Sequence, residues 1–288
     1  MILNIEHFRI FDFSIGIAIA ITSLSLSKNQ KNRRSTMWGN QTMKLTLKAL
    51  SLAILGAAST FTFAEEAPAS EHTISGNIGV VSQYVLRGNT AGLENSGAAV
   101  QGGLDYSHSS GFYAGYWGST LDVTYAESGE QSFEHDFYAG FNGSITEDLG
   151  YTIGGTYYVY YPSDDSNVFE TLLGLNYKDF SFTAQTLTDD VIWGNAGDTY
   201  FLASYSYPLP KDFTLNTSLG AYYYSDSGDF EEALGTTEDF NFRHLTAGLS
   251  HPLGDTGASV SMDYIIGGKL RDETDLKNKV VLGIKYEF

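Results

Sequence analysis

Five histidines after residue 65 are the candidate acid–base groups of this sequence: His72, His108, His135, His244 and His251. An imidazole titrates near neutral pH and could serve as the general base in hydrolysis of a lipid or a peptide. None of the five stands in a recognisable Ser/His/Asp arrangement, and no G-x-S-x-G nucleophile motif occurs. We therefore predict no catalytic residues, and a hydrolase acting on lipid or peptide is only the third hypothesis for function.

Carboxylates form a second set that could do chemistry, because several hard oxygens can hold a divalent cation. Their spacing does not fit an EF-hand loop, and charge runs of this kind more often belong to solvated loops. No P-loop, dinucleotide-binding fingerprint or H-E-x-x-H motif occurs. The chain also lacks cysteine, which excludes disulfides and thiolate metal sites. The sequence thus predicts no metal and no cofactor. The carboxylates in question are Asp164, Asp165, Asp189, Asp190, Asp226, Asp229, Glu231, Glu232, Glu238 and Asp239.

The composition is acidic, aromatic and poor in charge. The 288 residues carry a net charge of -18, with 14% aromatic and only 17% charged residues. Like charge repels phosphate, so we predict no nucleic-acid partner. The abundant tyrosine and phenylalanine can bury enough surface to fold, which argues against disorder.

The N-terminal region reads as a targeting segment. Residues 43–64 join a basic start at Lys44 and Lys48 to an apolar run that ends at the small-x-small motif before Glu65, as in a secretory signal peptide. We predict that residues 1–42 are a misassigned upstream extension and that translation starts at Met43. The alternative is a short signal anchor over Ile10–Leu26, which Asp12 disfavours. Mass mapping of the precursor distinguishes the two, since peptides from residues 1–42 would contradict a start at Met43.

The remaining chain, 65–288, has nine basic and 32 acidic residues and therefore a net charge of -23.

Apolar residues recur at every second position through most of residues 73–288. The final nine residues show this best, because 280, 282, 284, 286 and 288 are all apolar or aromatic. Such alternation predicts strands with one apolar and one polar face. Phe240 and Phe242 are out of phase with Leu245, which a β-bulge would explain. The predicted strands are about 73–87, 97–108, 112–123, 132–145, 151–161, 168–177, 180–187, 199–207, 213–224, 239–251, 258–265 and 277–288.

The links between these strands alternate between long and short. Links after odd strands, such as 88–96 and 225–238, are long, whereas links after even strands, such as 109–111 and 178–179, are short. This alternation predicts an all-β fold, an up-and-down transmembrane antiparallel β-barrel of about 12 strands in the bacterial outer membrane. Residues 65–72 would then be a periplasmic segment and 73–288 the barrel. A secreted soluble β-sandwich is the alternative.

Aromatic residues concentrate near the predicted strand ends, where an interfacial girdle would lie. Sequence alternation by itself does not distinguish the inside of a barrel from its outside, so these residues favour a lipid setting over a soluble one. They are Phe112, Tyr113, Tyr151, Tyr160, Tyr161, Tyr177, Phe180, Tyr207, Phe213 and Tyr222 to Tyr224.

Several segments resemble a known family. Leu282, Ile284, Tyr286 and the terminal Phe288 look like the signal by which the barrel-assembly machinery recognises outer-membrane barrels. The segments 79–88, 99–108, 111–115 and 134–140 resemble the TorF-type porins of Gram-negative bacteria. Leu86 departs from the pattern, which favours an aromatic residue there, and so does Asn89-Thr90, where Ser and Gln are commoner. The resemblance implies location and fold more than substrate.

The polar strand faces predict an acidic lumen. Twelve strands lie between the filled eight-stranded barrels and the open channels of about 16–18 strands, so a narrow pore is expected. We predict passive diffusion of small hydrophilic solutes, neutral or cationic, and outer-membrane lipid and lipopolysaccharide as surroundings. The alternative is a closed barrel with a structural or surface-interaction role. The predicted pore-lining residues are Arg87, Asp105, Asp122, Glu134, Asp136, Glu170, Asp263, Lys285 and Glu287.

Overall fold

The structure, a computed structural model, describes residues 70–122 and 132–288. The predicted extension 1–42, the signal peptide 43–64 and most of the predicted segment 65–72 lie outside these residues. Residues 123–131, which make up most of the link between the third and fourth strands, also lie outside the described residues. In the described ranges, no helix has both the length and the hydropathy that a membrane crossing requires.

Twelve antiparallel strands form one closed barrel, in which each strand pairs with its neighbours in sequence. The last strand pairs with the first, with Val80 opposite Ile284, and so closes the ring. The predicted fold class and strand number are confirmed. The strands are β1 His72–Val81, β2 Ala99–His108, β3 Phe112–Thr120, β4 Phe133–Ser144, β5 Leu149–Tyr161, β6 Ser163–Tyr177, β7 Phe180–Leu187, β8 Thr199–Pro208, β9 Thr214–Tyr223, β10 Phe240–Pro252, β11 Ala258–Gly267 and β12 Lys279–Glu287.

The barrel is apolar on the outside and polar on the inside. Ile74 is 75% exposed and Leu173 is 59% exposed, whereas Glu134 and Asp136 are buried. A soluble barrel has the opposite arrangement, because water is then outside and the core inside. Closure pairs the backbone groups of every strand, which is the condition for β-structure in lipid. Within residues 70–122 and 132–288, short helical pieces occur only in the long links, as a 3-10 turn at Leu86–Gly88 and a helix at Glu231–Leu234.

A β-bulge in β10 explains the phase change seen in the sequence. The register of β10 against β9 shifts between Phe242 and His244. Phe242 above the bulge and Leu245 below it therefore both point outward and are exposed. The bulge also turns Arg243 inward, where it is buried next to His244. The bulge hypothesis is confirmed.

Three strand boundaries differ from the prediction by three residues or more. β1 ends at Val81, six residues before the predicted end, because the chain then turns into the barrel through Arg87 and Gly88, both with positive φ. β3 ends at Thr120, so Asp122 is an exposed link residue and the prediction that places it on a strand is wrong. β6 begins at Ser163, so the predicted link 162–167 is mostly strand.

Part of the predicted aromatic girdle lies inside the barrel. Tyr161, Tyr177 and Phe180 are exposed on the outer surface, as predicted. Tyr160 and Tyr222 have the opposite parity and are buried in the interior, as is Tyr224 just after β9. The prediction placed these three residues in the girdle because it considered only their nearness to strand ends. It ignored the alternation of side chains between the two faces of a strand.

Candidate channel interior

Arg87 is the centre of a polar network in the barrel interior. Its guanidinium group donates hydrogen bonds to Glu170 Oε2 at 2.6 Å and to Gln185 Oε1 at 2.8 Å. It also donates to the hydroxyls of Tyr222 at 2.9 Å and Tyr158 at 3.1 Å. These partners come from β5, β6, β7 and β9, so one side chain from the β1–β2 link connects strands across the lumen.

The β4–β6 wall of the interior is acidic. Glu134, Asp136 and Glu170 point inward and are almost completely buried. Tyr160 donates to Glu134 at 2.8 Å, and Tyr158 donates to Glu170 at 2.9 Å. Other carboxylate oxygens of the three have no hydrogen-bond partner among the described residues, including both oxygens of Asp136. This wall therefore groups three carboxyl side chains, of which Glu170 forms a buried ion pair with Arg87.

The opposite wall combines tyrosine rings with arginine. Tyr200, Tyr222 and Tyr224 form a ladder with ring centroids 5.0 Å apart at each step. A guanidinium group lies near each ring: Arg87 is 5.0 Å from the centroid of Tyr200, and Arg243 is 5.2 Å from that of Tyr222. Cation–π attraction holds these charges on the ring faces. One wall therefore presents carboxyl groups and the other presents tyrosine rings and Arg243, and Arg87 contacts both.

Side chains fill the long-link half of the lumen. Tyr84 from the β1–β2 link and Val191 from the β7–β8 link pack in one apolar cluster with the inward residues Tyr158 and Val168. All four are at most 6% exposed. An open water-filled pore would leave such side chains accessible, so this half of the lumen is closed in the structure.

The short-turn half of the lumen is more open and has smaller polar side chains. Asn216 and Ser250 point inward there and are half-buried. Asp105, Asp263 and the Lys285–Glu287 pair, 2.8 Å apart, lie in the same half. The interior therefore has a polar vestibule of half-buried side chains at the short-turn end and a packed constriction at the other end.

Most of the residues predicted to line a pore do face the interior. Arg87, Glu134, Asp136 and Glu170 come together at the constriction. Asp105, Asp263, Lys285 and Glu287 lie apart from them in the vestibule. Asp122 is the exception, because it lies in the β3–β4 link and accepts a hydrogen bond from the Ser96 backbone at 2.8 Å. A role of these residues in permeation stays a prediction.

Sequence reasoning did not single out two arginines that complete this region. Arg243 is turned inward by the bulge in β10 and donates to the Arg87 carbonyl at 3.2 Å. Arg271, in the β11–β12 link, lies 4.7 Å from the Tyr224 ring centroid and pairs with Asp198 and Glu231. One feature of the sequence could have drawn attention to these arginines: basic residues are rare, and only nine follow residue 64.

Arg271 also joins three long links into a cap above the lumen. Burial raises the pKa of Asp198 above its usual value even though Arg271 lies against it. For Glu231, slight desolvation is outweighed by hydrogen bonds from Asn195 and Thr236 and by the charge of Arg271, so its pKa is lowered. The cap thus holds two carboxylates whose pKa values are shifted in opposite directions.

The five histidines do not assemble an acid–base site. His244 Nε2 lies 2.7 Å from the Tyr200 hydroxyl inside the barrel, and His135 Nδ1 lies 2.9 Å from the Tyr116 hydroxyl on the outside. His72 and His108 are cross-strand neighbours at the short-turn rim, and His251 packs on Phe213 there.

A closed antiparallel barrel with an apolar exterior and a charged interior defines the class of protein, a transmembrane β-barrel. Residues 65–279 match the family described as "Bacterial protein of unknown function (Gcw_chp)", and the chain belongs to this family. Membership of the TorF-type porins stays a prediction.

No curated protein matches the chain. Among solved structures, the chain is similar to the KdgM porin, with 11% identity and a TM-score of 0.48 over 74% of this chain and 99% of that chain. It is similar to the NanC porin, with 12% identity and a TM-score of 0.47 over 74% and 99% of the two chains. The outer-membrane phospholipase of Salmonella typhi gives 12% identity and a TM-score of 0.39 over 74% and 90%.

Proposed function

We propose that this protein is a porin-type channel of the bacterial outer membrane through which small hydrophilic solutes diffuse passively. The observation that carries the proposal is the reversed polarity of a closed barrel: exposed apolar side chains form the outside, and charged side chains the inside. Such a barrel is suited to lipid on its outer face and to a water-filled interior.

The charge of the interior supports a preference for cationic or neutral solutes. Asp105, Glu134, Asp136, Glu170, Asp263 and Glu287 face inward. The inward cations are fewer, namely Arg87, Arg243 and Lys285, and two of them lie at the constriction. A lumen with an excess of carboxylates attracts cations and repels anions.

Opening the channel requires the β1–β2 link to leave the lumen. Arg87 and Tyr84 both belong to this link, and their side chains occupy the constriction. Arg87 is held by Glu170, Gln185 and two tyrosines, so the closed state is stabilised by a few specific contacts. Displacing the link would expose Glu134 and Asp136 to water and loosen the constriction that separates the vestibule from the outside.

The packed constriction also favours a second candidate function, a closed barrel with a structural or surface-interaction role. Conductance in planar lipid bilayers distinguishes the two. We expect rare openings from the wild-type protein and frequent openings from the Arg87→Gln/Glu170→Gln double variant, which removes both charges and leaves neither unpaired. If both proteins fold and neither conducts, the channel proposal is wrong and the closed barrel is favoured.

A further inference from the structure

Three metal-ligating side chains meet at the short-turn rim of the barrel. His72 begins β1 and His108 ends β2, and the two are directly paired across the strands. Glu71 precedes His72 and is exposed, like His72, whereas His108 is half-buried. One possible ligand atom from each side chain lies within 4.8 Å of the other two.

The backbone fixes this arrangement. The two imidazole rings have centroids 5.0 Å apart. The Ser109 N–H donates to the Glu71 carbonyl at 2.9 Å and extends the β1–β2 ladder by one more pair. His72 and His108 therefore belong to the regular sheet, and Glu71 is tied to it through its carbonyl. Small side-chain rotations would bring the ligand atoms to the spacing that a bound ion needs.

A hydroxyl group lies at hydrogen-bond distance from one nitrogen of each ring, which leaves the other nitrogen for a metal. His72 Nδ1 lies 2.8 Å from the Tyr106 hydroxyl, and His108 Nδ1 lies 2.8 Å from the Ser110 hydroxyl. Neither Nε2 atom has a hydrogen-bond partner among the described residues. Metal-binding histidines usually have this form, with one nitrogen on the metal and the other hydrogen-bonded to an oxygen.

Binding of a metal through Nε2 requires a change of the His108 tautomer. Its Nδ1 also accepts a hydrogen bond from the Ser110 N–H at 3.1 Å, so the neutral ring carries its proton on Nε2 in that arrangement. When Nε2 coordinates a metal, the proton is on Nδ1 and can be donated to the Ser110 hydroxyl. The ring therefore keeps one hydrogen-bond partner in either state.

We infer that Glu71, His72 and His108 bind one transition-metal cation of the Zn²⁺ type, with water in the remaining position. Two imidazoles and one carboxylate match the three-ligand zinc sites of proteins, and imidazole ligands select transition metals over Ca²⁺ and Mg²⁺. The inference is independent of the channel proposal, because both histidines share the outward parity of Ile74 and Tyr106.

The test is a calorimetric titration of ZnCl₂ into the purified protein in detergent, without a histidine tag, at pH 7.5. We expect one Zn²⁺ per chain, with 1 mM CaCl₂ unable to displace it, and loss of this site in the His72→Asn/His108→Asn variant. The matched control is His251→Asn, which removes a histidine from the same rim and should bind as the wild type does. The heat-dependent gel shift of folded barrels checks that each variant is folded.

Two further variants separate a built site from casual surface binding. Tyr106→Phe and Ser110→Ala keep every ligand and remove the hydroxyls that orient the rings, and loss of such groups weakens metal binding about 10-fold or more. Three results would overturn the inference: no Zn²⁺ bound by the wild-type protein, unchanged binding in the double-histidine variant, or displacement of Zn²⁺ by CaCl₂.

Discussion

Arg87 Nη2 lies 2.6 Å from Glu170 Oε2 inside the barrel, although the first residue belongs to a link and the second to the middle of β6. Both side chains are nearly excluded from water, with exposures of 8% and 2%. A charged pair in such a place is weak evidence for net stability, because desolvation offsets much of the attraction. It does fix where the β1–β2 link lies, and this link is one of the two that fill the lumen.

The first prediction concerns the stability of this pair. Arg87→Gln leaves Glu170 without its charged partner in a buried site, and breaking such a pair typically costs about 3–5 kcal/mol. The Arg87→Gln/Glu170→Gln double variant removes both charges, so we expect it to be more stable than Arg87→Gln. Urea unfolding in lipid vesicles measures the difference. Additive losses in the two single variants and the double variant would show that the two side chains do not interact.

The second prediction concerns ion selectivity. In the Arg87→Gln/Glu170→Gln background, we expect Glu134→Gln with Asp136→Asn to lower the ratio of K⁺ to Cl⁻ permeability by about twofold or more, since two lumen carboxylates are lost. The reversal potential in a salt gradient measures this ratio. Asp164→Asn with Asp165→Asn is the matched control, because it removes two charges from the exposed tip of the β5–β6 hairpin. An equal loss of selectivity in the control would contradict the lumen assignment.

The period of two was sufficient to predict the barrel, because a strand that faces lipid on one side must alternate. The same period, applied strictly, also located the β10 bulge and the inward side of Glu134, Asp136 and Glu170. It failed where the chain leaves the sheet. Leu86 and Tyr84 continue the alternation of β1, so nothing in their types reveals that the link turns into the lumen.

The network around Arg87 could not be predicted from the sequence for a physical reason. Its partners lie 71 to 135 residues away from it in the chain, and they meet only because the barrel closes. Whether the lumen is filled depends on the paths of the β1–β2 and β7–β8 links, which have no periodicity. Strand parity predicted which carboxylates face inward at Glu134, Asp136 and Glu170, but it could not reveal the arginine and tyrosine side chains that meet them.

The third prediction concerns pH and the cap over the lumen. The pKa of Glu231 is lowered in the fold, so its ionised form stabilises the cap. This contribution is fully present above the ordinary glutamate pKa of about 4.3 and is lost as the pH falls through the lowered value. We expect hydrogen-exchange protection of residues 225–238, corrected for intrinsic rates, to fall over that acidic range.

Glu231→Gln is the control for this pH effect. The contribution of Asp198 has the opposite sign, since its pKa is raised and protonation at low pH relieves its burial. The variant removes the Glu231 contribution and leaves that of Asp198, so protection should be lower at neutral pH and should no longer decline with acidification. A decline as large as in the wild-type protein would assign the effect to another group.

The fourth prediction tests the path of the β1–β2 link itself. Gly88 has φ of +72°, and a Cβ atom there would lie 2.5 Å from His244 Cδ2. An alanine at this position must adopt a backbone conformation that side chains disfavour and must also displace a buried ring. We expect Gly88→Ala to move the link out of the lumen and to increase open-channel time in bilayers.

Gly97→Ala is the matched control in the same link. The atom nearest to a Cβ at this position is 3.6 Å away, so this variant should behave as the wild type does. Equal open-channel times for the two folded variants would mean that the position of this link does not control the closed state.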